Sequence, residues 1–133
     1  MGGRGVHAAG GVNFQEFLST EQSMQPINVA VIGSGFMGAA HVDGLRRVPG
    51  VNVVAISSID RPRAEELAAS FAIPHVYDDW REILRHEEIT AVHNCTPNNL
   101  HCEVNRELLQ AGKHVLSEKP LTLTSDESAE LIR

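Results

Sequence analysis

Apolar and polar residues along this chain alternate between two periods, and each switch marks an element. Ile27 to Ile32 is a run of β-branched and small apolar residues, the pattern of a strand buried on both faces of a parallel sheet. It leads into Gly33-Ser34-Gly35-Phe36-Met37-Gly38 and a helix-compatible segment from Phe36 to Val48. Val51 to Ser57 repeats the apolar run. Asp60, Arg61 and Pro62 then open a second helix, with Ala64, Leu67, Ala68 and Phe71 at i, i+3, i+4 and i+7. A short strand at His75 to Tyr77 precedes Asp79 and Glu82, which have the spacing of a helix cap and its partner, with Trp80, Ile83 and Leu84 as the buried stripe. Ala91 to Cys95 predicts a fourth strand and Thr96 to Asn99 its exit loop. Val104, Leu108 and Leu109 are the expected inward positions of the next helix, which Gly112 closes. His114 to Ser117 predicts a fifth strand, and Thr124 with Glu127 marks the start of a last helix.

Strands alternating with helices at this spacing predict a doubly wound α/β fold, a parallel Rossmann-type sheet built of right-handed βαβ units. The 133 residues suffice for one domain, expected over residues 26–133. Residues 1–25 read as a flexible leader, glycine-rich at Gly2, Gly3 and Gly5 and without periodicity, and Met24 is a candidate start. The leader lacks the basic start and apolar core of a secretory signal.

A net charge of −6 argues against nucleic acid or an anionic membrane surface as partner. No apolar run approaches the roughly 18 residues that span a bilayer. Cys95 and Cys102 match neither a redox pair nor a zinc pattern, which predicts free thiols and a cytoplasmic protein. The seven histidines show no metal-ligand spacing, so no metal site is expected.

Chemistry concentrates at the carboxyl ends of the strands. In G-x-G-x-x-G between strand and helix, Gly33 permits the tight turn, Gly35 lets bare backbone approach a pyrophosphate, and Gly38 lets the helix lie close on the strand. The helix start then offers free N–H groups and positive dipole to the diphosphate. The position that carries an acidic residue in NAD-preferring folds, at the end of the second strand, is Ser58. An uncharged serine with Arg61 close behind leans the expectation toward NADP. Asp60 is the counter-reading, although capping a helix is the simpler task for it.

Three stretches together carry a resemblance: GSGFMG at 33–38, CTPNNLHCE at 95–103 and AGKHVLSEKPL at 111–121. The chain resembles the amino-terminal domain of the Gfo/Idh/MocA family, which includes glucose-fructose oxidoreductase and inositol dehydrogenase. The resemblance implies an enzyme that moves a hydride between NAD(P) and a sugar, polyol or related secondary alcohol. It implies that Phe36, Met37, Thr96, Pro97 and Asn98 line the cofactor, that His101 begins the helix behind it, and that Glu118 contacts the nicotinamide ribose. Lys119 would stand at the reacting centre, where an ammonium stabilises alkoxide-like charge and exchanges a proton. A surface lysine before a turn proline is the plainer reading of Lys119 taken alone. His93 reads as a satisfied core histidine, and both cysteines as packing residues. The family implies a last strand, a second α/β domain and a homo-oligomer, so this chain alone is expected to bind dinucleotide at most. A non-catalytic dinucleotide-binding or regulatory module is the alternative.

Overall fold

A computed structural model describes residues 25–133; the leader up to residue 24, with the candidate start at Met24, lies outside the described residues. The elements are β1 (Ile27–Ile32), α1 (Phe36–Arg46), β2 (Val51–Ser57), α2 (Arg61–Phe71) and β3 (His75–Tyr77), a 3-10 helix (Trp80–Arg85), then β4 (Ala91–Asn94), a 3-10 turn (Asn98–Leu100), α3 (His101–Gln110), β5 (His114–Ser117) and α4 (Ser125–Ile132). The five strands form one parallel sheet in the order β3-β2-β1-β4-β5. Strand order therefore reverses between β1 and β4, and this is where an open α/β sheet splays its exit loops apart.

Both faces of the sheet are buried, which explains why β1 and β2 are apolar almost throughout. On one face Ala30, Ile32, Ala55 and Val92 pack with Ile83 of the 3-10 helix and Val104 and Leu108 of α3. On the other, Val31, Val53 and Ile56 pack with Val42 of α1 and Ala64 and Ala68 of α2. The helix starts follow their caps: Asp60 accepts from Arg63 N, and Thr124 with Glu127 forms a reciprocal capping box. Gly112 takes φ +75° just beyond α3.

Two expectations change. The segment after Asp79 is 3-10 rather than α, and the side chain of the cap Asp79 accepts from Arg81 N while its carbonyl accepts from Glu82 N. The bonds there run from Glu82 N to Asp79 O and from His86 N to Ile83 O, three residues apart, over the six residues before the chain turns toward β4. In α3, Leu109 is 45% exposed, while His101, Val104, Asn105 and Leu108 form the inward face at i, i+3, i+4 and i+7. Asn105 faces inward because Asn94, fully buried on β4, donates to its Oδ1 at 2.8 Å, and Asn105 Nδ2 donates to Ser117 Oγ at 2.9 Å.

This assignment predicts a contrast in thermal or denaturant unfolding. Leu108→Ala is expected to cost about 2–5 kcal/mol through lost burial and a cavity, whereas Leu109→Ala is expected to stay within about 0.5 kcal/mol.

Candidate functional site

The exit loops of β1 and β4 meet at the reversal of strand order. The parallel ladder runs on into them: Gly33 N donates to Ser57 O at 2.7 Å and Cys95 N donates to Ile32 O at 2.8 Å. Gly33 has φ +107°, and a Cβ there would overlap the carbonyl oxygen of Cys95 and lie 2.9 Å from its carbon. A Cβ on Gly38 would overlap the carbonyl oxygen of Gly33, with the carbon at 2.8 Å. Gly33 and Gly38 are thus required by the chain's own packing. Gly35 is different, because a Cβ there would meet nothing within 4 Å. Among the described residues no neighbour demands a glycine at position 35, and the backbone there stands open.

The start of α1 agrees. Its cap, Gly35, has extended backbone and offers no side-chain hydrogen bond, whereas α2 and α4 are capped by the side chains of Asp60 and Thr124. The first turn of α1 also contains no acidic residue. Its leading N–H groups consequently lack side-chain acceptors and carry the positive end of the helix dipole, the arrangement that takes a phosphate.

A cleft of about 490 Å³ opens over this loop. Of the residues expected from the sequence it is lined by Gly33, Gly35, Phe36, Met37, Ser58, Thr96 and Pro97. Phe36 and Ile59, 81% and 98% exposed, also line it and offer apolar faces to a flat ring. Ser58 Oγ lies 2.7 Å from the buried Ser34 Oγ and accepts from Asp60 N at 3.1 Å, which fixes the corner after β2.

Gly38 lies beneath the loop, and Asn98, Glu118 and Lys119 stand outside the cleft's lining. Arg61 does not line it either. Its guanidinium is engaged by Glu65 at 2.7 Å and Asp78 at 3.0 Å, and the arginine at the cleft is Arg63. His101 likewise stands outside the cleft's lining. It begins α3 as expected but is 1% exposed, with Nδ1 2.6 Å from Pro120 O and Nε2 2.8 Å from Thr96 O. Its ring ties the loop after β4 to the loop after β5.

Asn94 Oδ1 accepts from Thr96 Oγ1 at 2.7 Å and from Thr96 N at 3.2 Å, fixing the first residue of that loop. Burial of Cys95, beside it, with the charge of Glu118 adding to it, pushes its thiol up to about 12. Both cysteines are free. Among the described residues no group of three or more potential ligands could hold a metal ion, and no helix is long and apolar enough to cross a membrane.

A residue that sequence reasoning passed over is His41 on α1. Its Nε2 is 2.7 Å from Glu118 Oε1 and its Nδ1 is 2.9 Å from His93 Nδ1. The hydrogen bond from His41 is the main reason the Glu118 carboxyl is held below its ordinary range. Its one sequence signal is a histidine on the first helix after the glycines, at a position whose partners lie 52 and 77 residues away.

A parallel sheet with a glycine turn, an uncapped helix start and a cleft at the reversal of strand order defines a dinucleotide-binding α/β domain. Residues 27–133 match the family model described as oxidoreductase family, NAD-binding Rossmann fold. The chain belongs to the Gfo/Idh/MocA oxidoreductases. It is 36% identical to inositol 2-dehydrogenase of Rhodococcus erythropolis over 110 residues, which is 82% of this chain and 32% of that protein. It is similar to the crystal structure of GenD2 from gentamicin A biosynthesis in complex with NAD, with TM-score 0.78 and 30% identity over 81% of this chain and 31% of that one. It is also similar to the 3-ketoreductase KijD10 of Actinomadura kijaniata in complex with NADP, with TM-score 0.75 and 33% identity over 80% of this chain and 33% of that one. The chain thus spans about a third of the length of each of these proteins.

The glycine geometry separates two kinds of substitution. Gly33→Ala and Gly38→Ala are expected to destabilise the fold by about 3 kcal/mol or more, read in urea unfolding. Gly35→Ala is expected to stay within about 1 kcal/mol of the wild type.

Proposed function

We propose that this chain binds NAD(P) across the cleft between the β1 and β4 loops. We propose further that the protein's activity is hydride transfer between the nicotinamide and a secondary alcohol of a sugar or polyol. The observation that carries the reading is Gly35, whose missing side chain serves no protein neighbour. In this reading the α1 start and the Gly33–Gly38 backbone hold the pyrophosphate, and Thr96, Pro97 and Asn98 lead toward the nicotinamide half. Phe36, Met37 and Ser58 belong to the same binding set by their place on the cleft. Glu118 faces the nicotinamide ribose.

When bound, the nicotinamide supplies hydride exchange at its C4 carbon. Lys119 then acts on the reacting oxygen: its ammonium stabilises negative charge developing there, and its amine takes the hydroxyl proton in the oxidative direction. Lys119 N donates to Glu118 Oε2 at 3.3 Å, so the carboxylate that would meet the ribose also anchors the backbone bearing the lysine. Substrates, the direction of reaction and assembly of the whole protein as a homo-oligomer follow the family in this proposal.

The lean toward NADP moves from Arg61 to Arg63. Arg63 shares the cleft with the uncharged Ser58, and a guanidinium suits a 2′-phosphate. Asp60 and Asp78 line the same end and oppose it, so the expected preference is modest.

The test is a fluorescence titration with NADH and with NADPH. Saturable binding of both is expected, lost in Gly35→Glu with the circular dichroism unchanged. Arg63→Ala is expected to weaken NADPH about tenfold and to leave NADH within about twofold, as one phosphate–guanidinium contact would. Binding unaffected by Gly35→Glu would sink the reading.

A further inference from the structure

Two histidines and a carboxylate form a hydrogen-bonded series across three elements. His41 comes from α1, His93 from β4 and Glu118 from the end of β5. The two Nδ1 atoms are 2.9 Å apart, the rings meet edge to face at 85°, and His41 Nε2 is 2.7 Å from Glu118 Oε1. The side chains of His41 and Glu118 are only 14% and 17% exposed.

Donor and acceptor rules order the protons. An ionised carboxylate only accepts, so His41 Nε2 carries a proton. The facing Nδ1 atoms must share one: two hydrogens would collide in a 2.9 Å gap, and none would oppose two lone pairs. With both rings neutral, His93 Nδ1–H donates to His41 Nδ1, and His93 Nε2 is bare, with no hydrogen-bond partner among the described residues. A proton that joins His93 Nε2 lets the Nδ1 proton cross to His41, which becomes an imidazolium against Glu118. Neither ring has to move, and the new charge arises at the end opposite to where the proton entered. A second added proton would put two hydrogens between the Nδ1 atoms, so the pair takes up one.

We propose that His41 and His93 are positioning residues that relay a single proton to the Glu118 end of the site and so set its preference between oxidised and reduced nicotinamide. The inference rests on the reading that Glu118 faces the nicotinamide half of the cofactor. The three groups together carry one negative charge with the pair neutral and none with it protonated. An uncompensated carboxylate attracts the cationic oxidised ring more than the neutral reduced ring, and that advantage falls when the imidazolium forms.

The other titratable and charged groups beside the relay include Lys119, Cys95 and, on α1, Asp43. Lys119 follows Glu118 in the chain, and its backbone N–H donates to Glu118 Oε2 at 3.3 Å. Cys95 stays a thiol, its ionisation pushed up to about 12. On α1, the exposed Asp43 is held by Arg47 at 2.9 Å. Burial, and next the neighbouring His41, hold His93 below the ordinary imidazole range, while the bond from His41 keeps Glu118 ionised.

Two readouts test the proposal, neither of them turnover. Long-range proton–nitrogen NMR of the imidazoles in the full chain is expected to find His41 in the Nε2–H form and His93 in the Nδ1–H form at high pH. The two rings are expected to titrate together, with one shared midpoint and one proton. Titration with the tighter-binding cofactor, oxidised and reduced, is expected to give an affinity ratio favouring the oxidised form at high pH. That ratio should fall about fivefold through the same midpoint as pH drops, the size of one unit charge in a partly solvated site. His41→Gln keeps an amide N–H for Glu118 but no titratable proton, and its ratio should be flat with pH. Independent midpoints for the two rings, or a wild-type ratio as flat as that of His41→Gln, would overturn the relay while leaving cofactor binding intact. Failure of either cofactor form to bind at any pH would instead remove the dinucleotide reading, and the charge preference with it.

Discussion

Three backbone segments meet at the reversal of strand order with no room for a side-chain carbon between them. Gly38 on α1 rests on the carbonyl of Gly33, and Gly33 rests on the carbonyl of Cys95 at the end of β4. This stack brings the start of α1 down onto the sheet and sets β1 and β4 side by side, so the cleft is a by-product of close packing. The apolar strands of the interior give the sheet its depth. The glycine stack decides where its upper edge opens. Gly35 then stands out as the one residue of the motif whose bareness the packing leaves unexplained.

Around that stack, buried polar groups do the positioning. Asn94, Asn105 and Ser117 link β4, α3 and β5, and Asn94 also holds Thr96. His101 joins the carbonyls of Thr96 and Pro120. Each of these groups is costly to bury unless paired, and pairing fixes the loops that carry them. The opposite end of the sheet uses a similar device for a plainer purpose: the buried Lys113 donates to the carbonyls of His86 and Ile89, tying the chain that leads into β4 to the start of β5.

Local signals were legible and long-range ones were not. The strands showed in runs of apolar residues, and Asp60 and Thr124 as caps, because those features depend on neighbours within a turn. Leu109 was misplaced because a leucine outranks an asparagine as a core candidate, and only the partner Asn94, across the fold, reveals that Asn105 is the inward residue. Arg61 and Arg63 differ by two positions on a helix, which turns them to different sides; the acidic residues that engage Arg61 include Asp78, seventeen residues on. His101 reads as a site residue from its motif, and its burial shows only when Pro120 folds over it. His41 is silent in the sequence because its partners, His93 and Glu118, lie 52 and 77 residues away.

The ties gather at one side of the cleft. Loops after β4 and β5 are bound to each other through His101 and to the helix behind them through Asn94 and Asn105, so a change in one is felt by the other. The corner after β2 meets the glycine loop through the hydroxyls of Ser34 and Ser58. Substitutions at the corner that holds Ser58, Asp60 and Arg63 leave the ties through His101, Asn94 and Asn105 untouched, whereas a change on the opposite side is passed across two loops and a helix.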